Sequence, residues 1–573
     1  MKYQNFNVSI YCPVGTIDHI EDFERFDKDF DLLNRNIKIG KVYLETYRNG
    51  VRIEREQMLR VIDFFKRKGI MTSGGITTDD MNSDHLGFGT FCYTSAKSRE
   101  TLKEIVTLTA ELFDEIILDD FFFTNCRCES CIAAKGNRSW SKFRLDLMRE
   151  ISEEIIVKTA KEVNPKVKTI IKYPNWYEHY QETGYNPAEQ PFIFDYIYTG
   201  TETRNPAYSQ QHLPKYLGYF IMRYLENTAK NRNLGGWFDP YECSYNLTSY
   251  LEQGYLTLFA KAKEVTLFNI ASLCRDPSYS VFPPAVGQAF TDVDGYLGQL
   301  GNPTGTACYI PHNSFGEDYL HNYIGMCGIP LEPSPVYPDG ASRVFLSRNA
   351  AQDADIIGKI KGSLYGGADV IVTSGFVEAM GEAFHELMHV SYSRRKAVVN
   401  RYVYSVNGGL NYGGYAQSAK EIIVPQLEFY TNDVWDLISG IGEDNTYPIL
   451  LGTKYANGHL FVLTIPDDCG NLYHYPREVL NGIRKIFADN PMVRLDAVSK
   501  VALFTYDNDT FILRSFNSFA DQVTVTVNKE NAVLSDLERD ITHTGVNDGN
   551  RTIFSSAIEP GMNLVFKILQ KTE

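Results

Sequence analysis

Tryptophan is scarce, with four residues against 37 tyrosines and 34 phenylalanines. Long hydrophobic runs are missing: none reaches the ~20 residues that a membrane-spanning helix needs. An excess of cations is missing too. Lys and Arg number 56 against 71 Asp and Glu, for a net charge of −15, which excludes nucleic acid and anionic membrane as main partners, since both call for clustered Lys and Arg. The opening stretch, residues 1–6, lacks the apolar core of a secretory signal, so a cytoplasmic protein is expected. Ten cysteines in 573 residues are too dilute for the disulfide framework of a small secreted scaffold. Six of them, Cys12, Cys243, Cys274, Cys308, Cys327 and Cys469, read as buried thiols.

What is present is a long alternation of strand and helix. Apolar runs at 6–11, 41–45, 70–73, 115–118, 167–171, 194–198, 236–238 and 265–268 read as eight strands. Amphipathic helices are expected at 18–35, 54–68, 97–112 and 140–163, the last closed by Pro165. Such alternation implies a parallel sheet with helices outside it. Eight units in about 290 residues is the size of a (β/α)8 TIM barrel. A doubly wound open sheet would want a Gly-rich phosphate loop after its first strand, and Cys12-Pro13-Val14-Gly15-Thr16 is not one. No organic cofactor is expected.

The pattern changes near residue 299. Strands at 344–346, 368–372 and 460–463, with helices at 352–365 and 476–488, read as a smaller α/β unit. Short strands at 500–505, 510–514 and 522–528, separated by turns such as Asp507-Asn508-Asp509, read as a β-sandwich. The expected division is 1–298, 299–492 and 493–573.

Barrel enzymes keep their catalytic groups at the C-terminal ends of the strands. Strand four ends in Asp119-Asp120, two carboxylates between apolar residues, where burial is costly without a purpose. Helix capping or a salt bridge is the plainer explanation. Glu202 follows strand six, Asp239 follows strand seven, and Glu242 lies three residues further on; each could equally be a solvated loop acid. Glycoside hydrolysis needs two carboxyl groups across the scissile bond, one kept protonated to release the leaving group. Adjacent acids resist joint ionisation, so the Asp119-Asp120 pair could keep one of its two carboxyls protonated. Tyr173, Trp176, Tyr177 and Trp237 lie just past strands, where they could stack on sugar rings or pack the core. Arg48, just past strand two, joins them as a substrate-binding candidate.

Cys126, Cys128 and Cys131 stand within six residues after strand four, and Cys92 lies on the loop before that unit. Four thiolates would close a tetrahedral, structural, non-catalytic Zn2+ site; a disulfide or free thiols would also account for them.

The run Gly87-Phe88-Gly89-Thr90-Phe91-Cys92-Tyr93-Thr94-Ser95, followed by Cys126-Arg127-Cys128-Glu129-Ser130-Cys131, resembles the zinc cluster of glycoside hydrolase family 42, the β-galactosidase family. The stretch Gly366 to Gly375 resembles that family's flavodoxin- or glutamine-amidotransferase-like trimerisation domain. The order of barrel, α/β domain and small β-domain is shared. The resemblance implies a zinc ion on the four cysteines and a homotrimer or other homo-oligomer. It implies an acid/base at Asp120, where the family has the Glu of an Asn-Glu pair. It implies a nucleophile at Asp239, or at Glu242 if the strand ends later. Each Glu-to-Asp change shortens the side chain by ~1.5 Å, which would widen the carboxyl gap toward the inverting range. The adjacent Asp pair also resembles substrate-assisted hexosaminidases.

The expected function is therefore a glycoside hydrolase acting on a carbohydrate, with Asp120 as general acid, Asp239 as nucleophile or base, Asp119 tuning the acid, and Glu202 in reserve. Two other classes fit less closely: a barrel that binds carbohydrate without cutting it, and a sugar lyase or isomerase using Lys172 or His179 as base.

Overall fold

The computed structural model describes residues 2–20, 22–79, 88–243, 246–405, 412–443, 445–488 and 492–570. Met1 of the opening stretch, Glu21 of the first helical segment and Gly87 of the cysteine motif lie outside them. The chain divides into two compact units, Met1–Gly298 and Gln299–Glu573.

The first unit is a closed parallel barrel. Its strands are β1 (Asn7–Cys12), β2 (Lys41–Arg48), β3 (Met71–Ile76), β4 (Glu115–Leu118), β5 (Lys168–Tyr173), β6 (Tyr196–Gly200), β7 (Asn233–Phe238) and β8 (Glu264–Phe268). Each pairs with its neighbour in sequence, and β1 pairs with both β2 and β8 to close the ring. All eight coincide with expected strands, and β2, β3 and β7 run longer. The β3 and β7 extensions contain glycines, which weaken a strand signal yet are required here. A β-carbon at Gly75 would stand 2.5 Å from the Tyr11 hydroxyl, and one at Gly235 would stand 1.9 Å from the Glu264 carbonyl oxygen.

Residues alternate between barrel interior and helical layer along each strand. Tyr11, Tyr43, Ile117, Ile170, Tyr198 and Trp237 form the inner cluster. Two residues further toward the C-terminal end, the same face of β2 carries Glu45 and that of β5 carries Lys172, while Asp119 stands just beyond β4. The barrel floor is polar as well: Lys41 Nζ lies 2.5 Å from Glu115 and 3.3 Å from Glu264, and the Tyr43 hydroxyl donates to Glu264 at 3.0 Å. Outside, helices Phe23–Asn36, Arg55–Arg67 and Ala96–Leu112 follow the expected pattern. Asp22 caps the first of them by accepting from the backbone N–H groups of Glu24 and Arg25. The segment expected as one helix over 140–163 passes through a π-helical turn at Ile151–Val157.

In the second unit, five parallel strands, β9 (Thr306–Tyr309), β10 (Leu331–Ser334), β11 (Arg343–Leu346), β12 (Asp369–Thr373) and β17 (Gly458–Leu463), form half of a nine-stranded sheet. The other half is antiparallel: β13 (Val390–Ser405), β14 (Tyr412–Phe429), β15 (Trp435–Ile441) and β16 (Thr446–Tyr455). Sequence reading had no expectation for this long two-hairpin insertion. Its first strand mixes exposed Arg394, Arg395 and Lys396 with Ala397 and Val399, which are buried, and so lacks a sustained alternation. The last segment forms five strands of a six-stranded antiparallel sheet, completed by Pro303–Thr304, and a four-stranded antiparallel sheet, around a shared core of residues such as Leu503, Phe511, Val525 and Phe566.

Candidate functional site

A cavity of 380 Å3 opens at the C-terminal ends of the barrel strands. Arg48, Asp119, Asp120, Lys172, Glu202, Arg204 and Asp239 supply its charged wall. Phe88, Phe121, Phe123, Trp176, Trp237, Tyr241 and Phe268 supply an aromatic one. Of the residues singled out from sequence, Asp119, Asp120, Glu202, Asp239, Trp176, Trp237 and Arg48 thus meet in one place.

Lys172 is the hub, and its side chain is 2% exposed. Its ammonium donates to Asp120 Oδ2 at 2.7 Å and to Glu202 Oε1 at 2.8 Å, and Asp119 Oδ1 stands 3.5 Å away. It also lies 4.3 Å from the centroid of the Trp237 ring, a cation–π contact. Burial pulls its pKa down, but Asp120, Glu202 and Asp119 together push it well above the ordinary lysine value. A lysine held charged in this way is poorly suited to be the neutral base or Schiff-base amine of a lyase or isomerase. His179, the other base weighed for that class, is exposed and does not line the cavity.

The two neighbouring aspartates are shifted in opposite directions. Burial acts to raise the Asp119 carboxyl, but Lys172 and Arg48 outweigh it and the group is lowered. Arg48 Nη2 donates to Asp119 Oδ2 at 2.9 Å, and the backbone N–H of Asp120 donates to its Oδ1 at 2.8 Å. Asp120, 18% exposed to the cavity, is raised to about 7 by burial and by the charges of Asp119 and Glu202, with Lys172 opposing. Divergent environments of this kind separate an acid from a permanent carboxylate. Glu202 is likewise raised, by burial and by Asp239, against the pull of Lys172. Its Oε2 is buried with no hydrogen-bond partner among the described residues.

Across the cavity, Arg204 grips Asp239 with two parallel hydrogen bonds, Nε to Oδ1 at 3.0 Å and Nη2 to Oδ2 at 2.8 Å. The backbone N–H of Tyr241 adds a third at 3.1 Å. Such a fork fixes a carboxylate in orientation.

Three expectations are corrected. Tyr173 does not line the cavity: it alternates with Lys172 along β5, so it points to the opposite face and packs against Tyr180 and Tyr185, with centroids 5.4 and 5.5 Å away. Tyr177 packs on Phe220 and Tyr224 and is also absent from the wall. Glu242 meets Arg204 Nη1 at 3.7 Å without lining the cavity. Sequence reading gave Lys172 only to a rival class and passed over Arg204 and Glu45. A signal for Lys172 and Glu45 was there: each stands two residues beyond an apolar residue of the inner face, Ile170 and Tyr43.

Each cation of the site is already matched. Arg48 donates to both oxygens of Glu45, at 2.9 and 3.1 Å, and to Asp119. Lys172 has three carboxylates, and Arg204 has Asp239 and Glu242. Among the described residues, no ammonium or guanidinium in the wall is left over for an anionic sugar.

Cys92, Cys126, Cys128 and Cys131 come together with their sulfurs all within 4.8 Å of one another. Cys92 Sγ lies 3.6 Å from Cys128 Sγ and 3.7 Å from Cys131 Sγ. Metal–sulfur bonds of about 2.3 Å in a tetrahedron require sulfurs about 3.8 Å apart, so the donor set fits a metal ion. All ten cysteines are free thiols; Cys274 and Cys469 are partly exposed rather than buried, while the other four expected to be buried are so. The cluster ties together the loops that present the cavity's phenylalanines. The Asn125 amide donates to the Phe88 carbonyl at 2.9 Å, and the Phe88 and Phe121 rings meet edge-on at 5.4 Å.

Residues 1–282 match the family model of a probable glycosyl hydrolase catalytic domain. Residues 301–468 match the second domain of uncharacterized protein SSO3021, and residues 492–568 match a probable glycosyl hydrolase C-terminal domain. The chain is 23% identical over 581 residues to uncharacterized protein SSO3021 of Saccharolobus solfataricus, covering 93% of this chain and 95% of that one. Among solved structures it resembles a catalytic mutant of the family 42 β-galactosidase Gan42B from G. stearothermophilus, 13% identical over 99% of each chain with a TM-score of 0.66. It resembles equally the α-L-fucosidase isoenzyme 2 of Paenibacillus thiaminolyticus, 11% identical over 100% of each chain with a TM-score of 0.66. The chain shares the fold of these barrels, and its first 282 residues match a probable glycosyl hydrolase catalytic domain. No described helix is long and apolar enough to cross a membrane.

Proposed function

We propose that this chain hydrolyses a glycosidic bond of a neutral sugar, with Asp120 as general acid and Asp239 as the second carboxylate. The observation that carries this reading is the Asp120 carboxyl, open to the cavity, raised to about 7 and held 2.7 Å from Lys172. An acid that is half protonated near neutrality can deliver its proton to a departing glycosidic oxygen and take one back from water. Lys172 and Asp119 are positioning residues. Together they set the pKa and direction of Asp120 without being asked to touch the sugar.

Asp239 stands just past β7, lines the same cavity and is held in orientation by the Arg204 fork, which suits a nucleophile or a base. Glu202 is less suited to that role, because its Oε2 is closed off from solvent. Its share is to raise Asp120. The saturated cations of the wall favour a neutral sugar over a uronic or sulfated one. The aromatic wall offers Trp176, Trp237 and Phe268 to the apolar face of a pyranose.

A zinc ion on Cys92, Cys126, Cys128 and Cys131 fits the donor set. With four thiolates the coordination is closed, so the metal braces the loops of Phe88 and Phe121 and takes no part in chemistry. The likeness of residues 299–492 to the family 42 trimerisation domain supports a homotrimer, and ten unpaired thiols suit the reducing cytoplasm.

The test is a panel of neutral aryl glycosides and oligosaccharides with the wild type, Asp120→Asn and Asp239→Asn. Release of one sugar by the wild type, lost in both variants, supports the reading. Undiminished release from an oligosaccharide, whose leaving group needs the acid, by either variant overturns the assignment of that residue. A first-formed product of retained anomeric configuration makes Asp239 the nucleophile; an inverted one makes it the base.

A further inference from the structure

A second cavity lies within the Gln299–Glu573 unit, remote in sequence from every residue of the barrel site. It encloses 290 Å3 between the α/β sheet and the C-terminal β-sandwich. Its floor is apolar, with Phe487, Val493, Leu495, Leu503 and Ile553. Its charged residues are mainly cationic: Arg484, Lys485, Arg494 and Arg551, against Asp496 and Asp548.

These cations differ from those of the barrel. There, each is matched by carboxylates. Here, Arg484 donates only to neutral acceptors, the carbonyls of Cys327 at 2.8 Å, Ala497 at 2.6 Å and Val498 at 3.2 Å, and Asn481 Oδ1 at 2.7 Å. Arg494 makes no ion pair among the described residues, and its Nε is buried without a hydrogen-bond partner. Its strongest charged neighbour is another arginine, Arg551, and burial and that repulsion both pull its pKa down. Asp496, the nearest acid in sequence, is taken by Arg477.

A half-buried guanidinium facing a like charge, with an orphaned donor, is a cost that a fold accepts rarely without a return. An oxyanion in the cavity would satisfy the donor and offset the repulsion together, and the planar fork of arginine matches phosphate and carboxylate oxygens. We infer that this cavity is a binding site for a small oxyanion, a phosphate or a compact polycarboxylate, gripped by Arg494 and Arg551 over the apolar floor. The site is separate from the glycoside-hydrolysing one and does not depend on that reading.

The experiment is calorimetric titration of the full chain with inorganic phosphate, sulfate and citrate at constant ionic strength, with chloride as control. Wild type, Arg494→Gln and Arg551→Gln are compared, and each is also melted without ligand. Saturable binding that weakens tenfold or more in both variants is expected. The arms distinguish the source: phosphate and sulfate alone point to a tetrahedral oxyanion, citrate alone to a carboxylated molecule. Without ligand, Arg494→Gln should melt at or above the wild-type temperature, since it removes an unpaired charge. Absence of saturable binding of all three probes, or binding undiminished in both variants, overturns the inference. So does a lower ligand-free melting temperature for Arg494→Gln, which would make the arginine structural.

Discussion

The Lys172 ammonium on β5 lies 2.7 Å from the Asp120 carboxylate just beyond β4, and both are shielded from bulk water. This pair sets the protonation behaviour of the candidate site. A buried Asp without the lysine would be pushed higher still; a lysine without Asp119 and Glu202 would pull the Asp down toward the ordinary range.

For activity, the sign follows from the direction of that shift. The acid form of Asp120 is lost as pH rises through about 7. The basic limb of the kcat/KM profile should therefore fall near that value. Asp120→Ala should lower kcat/KM by ~10^2 to 10^4 on substrates with poor leaving groups, and much less on aryl glycosides whose leaving group needs no proton. Steady-state kinetics on both substrate types across pH decides this, and equal losses on both would remove Asp120 as the acid.

Stability should carry the same signature. Asp120 binds its proton more tightly in the folded chain than in the unfolded one. Its contribution is thus most favourable below the unfolded Asp value near 4 and is lost as pH rises through about 7. Thermal melts between pH 5 and 8 should fall more steeply for the wild type than for Asp120→Asn. Parallel curves would show that the shift is not present in the protein.

Lys172→Met leaves Asp119, Asp120 and Glu202 without their shared cation. Breaking a buried ion pair from one side costs about 3–5 kcal/mol, so the midpoint of denaturant unfolding should drop markedly. Because the lysine opposes the rise of the Asp120 pKa, any residual activity should show its basic limb moved to higher pH. An unmoved limb would separate Lys172 from the acid.

Removing metal should act on the loops rather than on the chemistry. Elemental analysis should find one zinc per chain. Cys131→Ser should lose it and lower the melting temperature, with KM affected before kcat as Phe88 and Phe121 loosen. Full metal content in Cys131→Ser would place the ion elsewhere.

The saturated cations predict discrimination by charge. Between a neutral aryl glycoside and the matching uronide, kcat/KM should favour the neutral one by at least tenfold, because a sugar carboxylate would meet no free donor of positive charge. Light scattering should give three times the chain mass of 65.1 kDa if the second unit assembles as its likeness suggests.

The barrel was legible because its strands carry concentrated apolar runs, with Glu115-Ile116-Ile117-Leu118 the plainest, between helices of 3.6-residue periodicity. Asp119, Asp120 and Asp239 were legible because chain order alone puts them at strand ends. The first strand of the antiparallel insertion, β13, was not, since its apolar residues are dispersed among exposed charges. Tyr173 and Tyr177 were misjudged for a related reason: being just past a strand says where a residue is along the barrel axis, and only strand parity says which side it faces.

The sequence by itself determined the number and order of the barrel strands, the acids at their ends and the four cysteines that meet, because these follow from local periodicity and spacing. Tertiary structure alone decided which acid is raised and which is clamped. Those states depend on Lys172, Arg48 and Arg204 reaching across from other strands, and on burial, which removes the water that would otherwise level all carboxylates to one pKa.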